Sequence, residues 1–279
     1  MRTLSYPEVL LLSKLDGKAL NSYIVPGYFT YEYHLDFGQS VDAMFDSGLI
    51  CYADFKTSLE GMTVKELKCI LTESNLPVTG KKSTLVDRIV ASCDPSEWEG
   101  RIDRRVMVTD AGRELVAKYD VLMVCQNNSG IFSIALEEAG TMREQHPDWS
   151  AYEIIRFILG NRSKRDLDNR NYGLYRNCLF GISEAYRLEC DREMQKHYLL
   201  QCCFMDAIGY VNGGTIEERL AILAPGLISR LAHIYKDAAF TLVEDYQEAL
   251  KELPIPRIRD NEIRALDDIR DALLEQGCG

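Results

Sequence analysis

The stretch MTVKELKCILTESNLPVTGKKSTLVDRI, residues 62–89, constrains this chain more than any other. Thr63 stands where a helix N-cap belongs, with Glu66 three residues on, the spacing of a reciprocal capping box. Val64, Leu67, Ile70 and Leu71 recur at helical spacing and predict one apolar face. Asn75 can take the left-handed conformation that ends a helix, and Leu76-Pro77 then turns the chain. Gly80 frees the following loop for a close approach. Leu85, Val86, Ile89 and Val90 predict the inner stripe of a second helix. Two helices this short bury little area and need an outside contact to be stable.

QSVDAMFDS (39–47) places Val41, Met44 and Phe45 on one face of a short helix that Gly48 ends. LICYADF (49–55) then reads as a strand, and RRVMVT (104–109), with Val106 and Val108 alternating, as a second. Thr109 opens a helix in TDAGRELVAKYD. Ser-Gly-Leu-Ile before the first strand resembles the end of the third helix of winged-helix proteins, and Thr-Asp-Ala-Gly-Arg-Glu-Leu after a short strand resembles their second wing strand and following helix. That resemblance makes residues 56–103 an insertion at the tip of the wing.

A glycine followed by two lysines invites a nucleotide-loop reading, which fails. A P-loop needs glycine five residues before Gly80 and Ser or Thr directly after Lys81; Asn75 and Lys82 stand there, and no strand precedes the loop. The ordered set Thr63, Leu67, Leu71, Leu76, Pro77, Gly80, Lys82, Leu85, Arg88 and Ile89 instead resembles the SAP motif. This is a helix–extended-loop–helix module of chromatin, repair and RNA-processing proteins, here spanning about residues 60–94. Asn75 replaces the usual glycine and Ile89 the usual final leucine. The resemblance implies DNA binding with little sequence specificity and a preference for AT-rich duplex. Lys65, Lys68, Lys81, Lys82 and Arg88 against Glu66, Glu73 and Asp87 leave residues 62–93 at net +2. Backbone N–H groups after Gly80 could hold a phosphate, Ser83 and Thr84 could add hydroxyl contacts, and Lys81 and Lys82 could neutralise neighbouring phosphates. Against this stands a plainer reading, in which Lys82 and Arg88 are solvated and the hairpin touches protein.

The whole chain, at net −11 over 279 residues, is no general polyanion binder, so nucleic-acid contact must come from a local basic face. From residue 150 the pattern is helical. SAYEIIRFIL is a helix with Ser150 as N-cap and Gly160 as stop. The basic, Tyr-containing run from Arg156 to Arg176 reads as an exposed linker more readily than as a nucleic-acid surface. Residues 171–191 and 192–214 form an antiparallel helix pair with a Tyr198, Cys202, Met205, Ile208 stripe, closed by Asn212-Gly213-Gly214. A Thr215–Glu218 capping box begins the next helix, which Pro225 breaks or kinks. Two more helices follow on either side of PIPRI, their wet faces carrying the acidic charge of the tail. These hairpins resemble tetratricopeptide-like helical repeats, without a 34-residue self-similarity. That likeness implies a surface for a protein partner or self-association.

No chemistry-bearing constellation emerges. His34, His146, His197 and His233 stand alone, and none of the nine cysteines forms Cys-x-x-Cys. The cysteines, Cys202-Cys203 included, read as reduced core thiols, which points to a cytoplasmic protein. The expectation is therefore a mainly α, non-enzymatic protein with no cofactor, metal site or membrane span. A winged-helix-like α+β part (1–125) carries the SAP-like insertion, and a helical-repeat-like part (126–279) follows.

Overall fold

In the computed structural model, residues 3–98, 102–210, 215–217, 221–236 and 240–278 are described. The protein is mainly α with one small two-stranded sheet. It divides into two compact units, residues 1–123 and 124–279.

The first unit begins with α1 (Tyr6–Leu15), capped by Ser5 and Glu8 and buried along Val9–Leu12 and Leu15. Then come α2 (Gly27–Tyr31), α3 (Phe37–Asp46), β1 (Ile50–Tyr52), α4 (Phe55–Glu60), α5 (Val64–Glu73), α6 (Lys82–Ser92), α7 (Pro95–Trp98), β2 (Val106–Val108) and α8 (Asp110–Lys118). Val41 and Met44 of α3 face the core, and Phe45 packs on Tyr52 at 4.7 Å between ring centroids. β1 and β2 are antiparallel, with Ile50 opposite Val108 and Tyr52 opposite Val106. The other edge of β2 pairs with the chain after α1: Ala19 bridges Arg105, and the Val106 N–H donates to Lys18 O at 2.8 Å. Val106 and Val108 are buried as the alternation predicts. Thr109 caps α8 by accepting from the Gly112 N–H at 3.2 Å. A Cβ on Gly112 would stand 2.3 Å from Leu49 O, so only glycine lets α8 lie this close to the entry of β1. Segment 53–105 thus leaves and re-enters the unit between two paired strands.

Helix α9 (Asp120–Asn127) lies at the junction in sequence of the two units. The second holds α10 (Ser129–Phe132), α11 (Leu136–Gln145), α12 (Ala151–Asp168), α13 (Tyr172–Leu188), α14 (Arg192–Ile208), α15 (Pro225–Lys236), α16 (Leu242–Lys251) and α17 (Arg259–Glu275). Short turns through left-handed Arg170 and Cys190 fold α12, α13 and α14 back on one another. α14 is central: Leu199, Leu200, Cys202, Cys203, Phe204, Met205, Ala207 and Ile208 are all buried, and it packs on α13, α15, α16 and α17. Tyr198 of the expected stripe is only partly buried.

Several expectations for this half need correcting. Ser150 does cap α12, but Gly160 does not stop it; the helix runs on to Asp168. An interior glycine costs about 1 kcal/mol relative to alanine. Burial of Ile154, Ile155, Ile158 and Leu159 on that helix outweighs it. The basic run 156–176 consequently lies on α12, a short turn and α13 rather than in a linker, and three of its cations are paired: Arg156 with Glu189, Arg162 with Glu138, and Arg176 with Asp206. Pro225 breaks nothing; it opens α15, where its missing N–H costs no hydrogen bond. Thr215–Ile216 is extended, with Ile216 bridging Tyr210, while Glu218 lies outside the described residues. Asn212-Gly213-Gly214 also lies outside them, and α14 ends earlier, at left-handed Gly209.

Candidate nucleic-acid interface

The hairpin of α5 and α6 is built as its caps dictate. The Thr63 N–H and Oγ1 donate to Glu66 Oε2 at 2.6 and 2.7 Å, and the Glu66 N–H returns to Thr63 Oγ1 at 3.3 Å. These donors hold the Glu66 carboxyl below its ordinary range, helped by the charges of Arg105 and Lys82. At the other end Asn75 adopts φ 54. The Leu76 N–H reaches Leu71 O at 2.7 Å and the Asn75 N–H reaches Thr72 O at 3.1 Å, a Schellman closure.

Leu67, Ile70 and Leu71 of α5 meet Leu85, Val86 and Ile89 of α6 in a small core. The outside contact this core needs comes from Leu59 of α4, Cys93, Trp98 of α7 and Ile102, with Phe55, Met62, Leu76 and Val78 at its edge. Val64 and Val90, expected on the inner stripe, are instead about two-fifths exposed. Each lies at the margin of its stripe, and helices this short present a narrower seam than periodicity alone suggests.

The two helices run parallel. Lys82, first residue of α6, is close enough to Glu66 in the first turn of α5 to influence its carboxyl. At the opposite end Cys93 Sγ, the cap of α6, donates to Ser74 Oγ, the cap of α5, at 3.4 Å. The loop between them therefore returns along the full length of α5. Arg88 fixes that loop: its guanidinium donates to Pro77 O, and to Thr79 O at 3.1 Å. Gly80 then adopts φ 132, a conformation open essentially to glycine alone.

Parallel helices put both N-termini, the positive ends of their dipoles, at one end of the hairpin. That of α5 is satisfied by its capping box. That of α6 is not: Lys81 is its N-cap residue and provides no side-chain hydrogen bond. Lys81, Lys82, Ser83 and Thr84 are all exposed. Lys65 lies in the first turn of α5. Lys68 follows one turn later on the same outward face, where Val64, Lys65, Lys68 and Cys69 line a shallow groove. The structure thus brings Gly80, Lys81, Lys82 and Ser83 to one end, with Lys65 in the first turn there and Lys68 farther along. Arg88 stands apart, turned onto the loop. Sequence reasoning missed Arg105, which donates to Gly61 O at 2.7 Å and also to Gly17 O, tying the hairpin's approach to the sheet. Nothing local to the motif points to a residue forty positions downstream.

Among the described residues no group of three or more His, Cys, Asp or Glu side chains is arranged to hold a metal ion. No described helix is long and apolar enough to cross a membrane.

With this geometry in view, the comparison with protein families is specific. Residues 58–91 match the SAP domain, so the match takes in Leu59 of α4 as well as both helices of the hairpin. A SAP domain points in general terms to nucleic-acid binding. No curated protein matches the chain.

Proposed function

We propose that the chain binds duplex DNA weakly and with little sequence preference through the N-terminal end of the SAP hairpin. The observation that carries this reading is the open N-terminus of α6, flanked by exposed Lys81 and Lys82 and aligned with that of α5. Backbone N–H groups and a helix dipole form a ready phosphate site, and lysines beside it add charge without reading bases. Lys65, Lys68 and the Ser83 hydroxyl extend the contact; Arg88 supports it indirectly by shaping the loop. Two or three phosphates engaged this way give a shallow salt dependence, with a log–log slope of about −2 to −3. An AT-rich preference would come from groove shape rather than from hydrogen bonds to bases.

The first unit reads as a winged-helix-like frame with the SAP hairpin at the tip of its wing. The antiparallel β1–β2 pair flanking segment 53–105, with a third segment bridged to β2, supports this. In such a frame α3 would be the groove-reading helix, yet its exposed side chains are Gln39, Asp42 and Asp46, with Asp36 at its cap. Like charge against phosphate makes α3 a poor reader, so DNA contact is assigned to the hairpin. The second unit would bind a protein partner or another copy of the chain, and the protein is read as a non-enzymatic cytoplasmic one.

Fluorescence anisotropy of AT-rich and GC-rich duplexes, titrated with the full chain at two salt concentrations, tests the reading. Binding at low salt should weaken at least about tenfold in Lys81→Glu/Lys82→Glu, since two charged contacts are reversed. Absence of binding at low salt overturns the proposal. One observation favours a protein-binding alternative: exposed Val64 beside Cys69 gives the outward face of α5 an apolar element. Unchanged DNA affinity in the double variant would turn the argument to that face.

A further inference from the structure

We infer that the second unit carries an anion site that takes a phosphate group, in a cavity between the α13–α14 turn and the start of α15. Arg187, Arg192, Arg230 and His233 line it, together with Gln195 and Ser229. No described lining residue is acidic. In a chain of net −11, three guanidiniums line one concavity.

The arrangement is built rather than incidental. Glu184 of α13, 1% exposed, grips two of the arginines from behind: Oε2 accepts from Arg187 Nε and Oε1 from Arg230 Nε, each at 2.9 Å. Arg230 is further fixed by donating from Nη1 to Gly226 O at 3.0 Å. One carboxylate thus orients two cations and neutralises only one of them. Arg187 keeps both Nη groups without a hydrogen bond to any described residue, so its outer fork is available. Three acids nearby in sequence make contacts of their own. Glu189 pairs with Arg156, Glu193 with Lys196 at 2.8 Å, and Asp191 accepts from the Met194 N–H at 3.1 Å.

Gln195 adds a polar group beside the guanidiniums. It is 6% exposed and lines the cavity, and its side-chain amide makes no hydrogen bond to a described residue. The amide opens onto the cavity and can donate to what enters it. α15 adds the exposed Ser229 hydroxyl. Guanidinium forks, an amide and a hydroxyl form a donor-rich lining that suits a phosphate's several acceptor oxygens.

The phosphate could belong to a small phosphorylated molecule or to the end of a nucleic-acid strand, and the test separates these. Full-length protein in phosphate-free buffer is titrated calorimetrically with inorganic phosphate, then with one short oligonucleotide carrying either a 5′-phosphate or a 5′-hydroxyl. Inorganic phosphate should bind, and Arg187→Gln/Arg192→Gln should weaken it at least about tenfold, the loss of charge-assisted hydrogen bonds. Ser229→Glu, an exposed change that places a carboxylate in the site, should do the same while circular dichroism stays unchanged. Tighter binding of the 5′-phosphorylated strand than of both its hydroxyl twin and free phosphate assigns the site to a strand end. Equal affinity for phosphate and the phosphorylated strand assigns it to small ligands. Lys81→Glu/Lys82→Glu should leave phosphate binding intact, so this site and the SAP hairpin stand or fall separately. No phosphate binding, or binding indifferent to all these substitutions in the second unit, overturns the inference.

Discussion

At the scale of single residues, the hairpin depends on a few backbone-directed side chains. Thr63→Ala removes one half of the capping box and should cost about 1 kcal/mol in urea denaturation. Glu66, its carboxyl depressed in the folded state, contributes stability that is fully present above its unfolded pKa. That contribution is lost as pH falls through the lower folded value. Stability measured from pH 6 to pH 2 should therefore fall less steeply in Glu66→Gln than in the parent. Gly80→Ala places a side chain at φ 132 and should destabilise by about 1–3 kcal/mol. A change below about 0.3 kcal/mol would mean the loop relaxes to another conformation. The cysteines divide sharply. Cys51, Cys69 and Cys190 are exposed, whereas burial pushes the Cys125 and Cys202 thiols up to about 12. A thiol reagent should modify three cysteines in the native protein and all nine after denaturation; rapid labelling of more than three without denaturant would contradict the packing. Thr63, Glu66, Asn75 and Gly80 were legible in the sequence because each acts on backbone within a few residues of itself. Arg88 was not. Its spacing marks it as one more cation, and only the loop folding back along α5 shows that its guanidinium meets Pro77 and Thr79.

At the scale of elements, local patterning placed most helices and both strands, and it erred where tertiary packing outweighed a local preference. Gly160 looks like a stop, yet α12 runs through it because four large apolar side chains are buried along the same helix. Pro225 looks like a break and is a beginning, since sequence alone does not reveal that Thr215–Ile216 is extended. The parallel course of α5 and α6 was equally hidden: the loop's residues are readable, its direction is not. That direction separates two kinds of basic residue. Arg88→Ala should lower stability and broaden the loop's hydrogen exchange while weakening DNA binding only modestly. Lys81→Glu/Lys82→Glu should weaken binding strongly with little effect on the denaturation midpoint. The two variants measured side by side by urea melt and anisotropy check the division, and reversal of the pattern would show that Arg88 itself meets phosphate.

At the scale of the whole molecule, charge sets the limits. A net charge of −11 repels a polyanion at long range, so attraction must be generated within about a Debye length of the hairpin's end. Composition shows that such a face has to be local, and the SAP-like motif indicates where. The arginine cavity of the second unit was beyond reach in sequence. Arg187, Arg192 and Arg230 fall on three helices, and Glu184, which joins two of them, reads as an ordinary helix residue. Contact between phosphate and the open N-terminus of α6 is read from amide chemical shifts of the full chain during titration with a short AT-rich duplex. The largest perturbations should fall on the amides of Lys81, Lys82, Ser83 and Thr84, with smaller ones at Lys65 and Lys68 and little change along α3. Perturbations centred on Gln39 and Asp42 of α3, with residues 80–84 unmoved, would place the duplex on α3 and not on the hairpin.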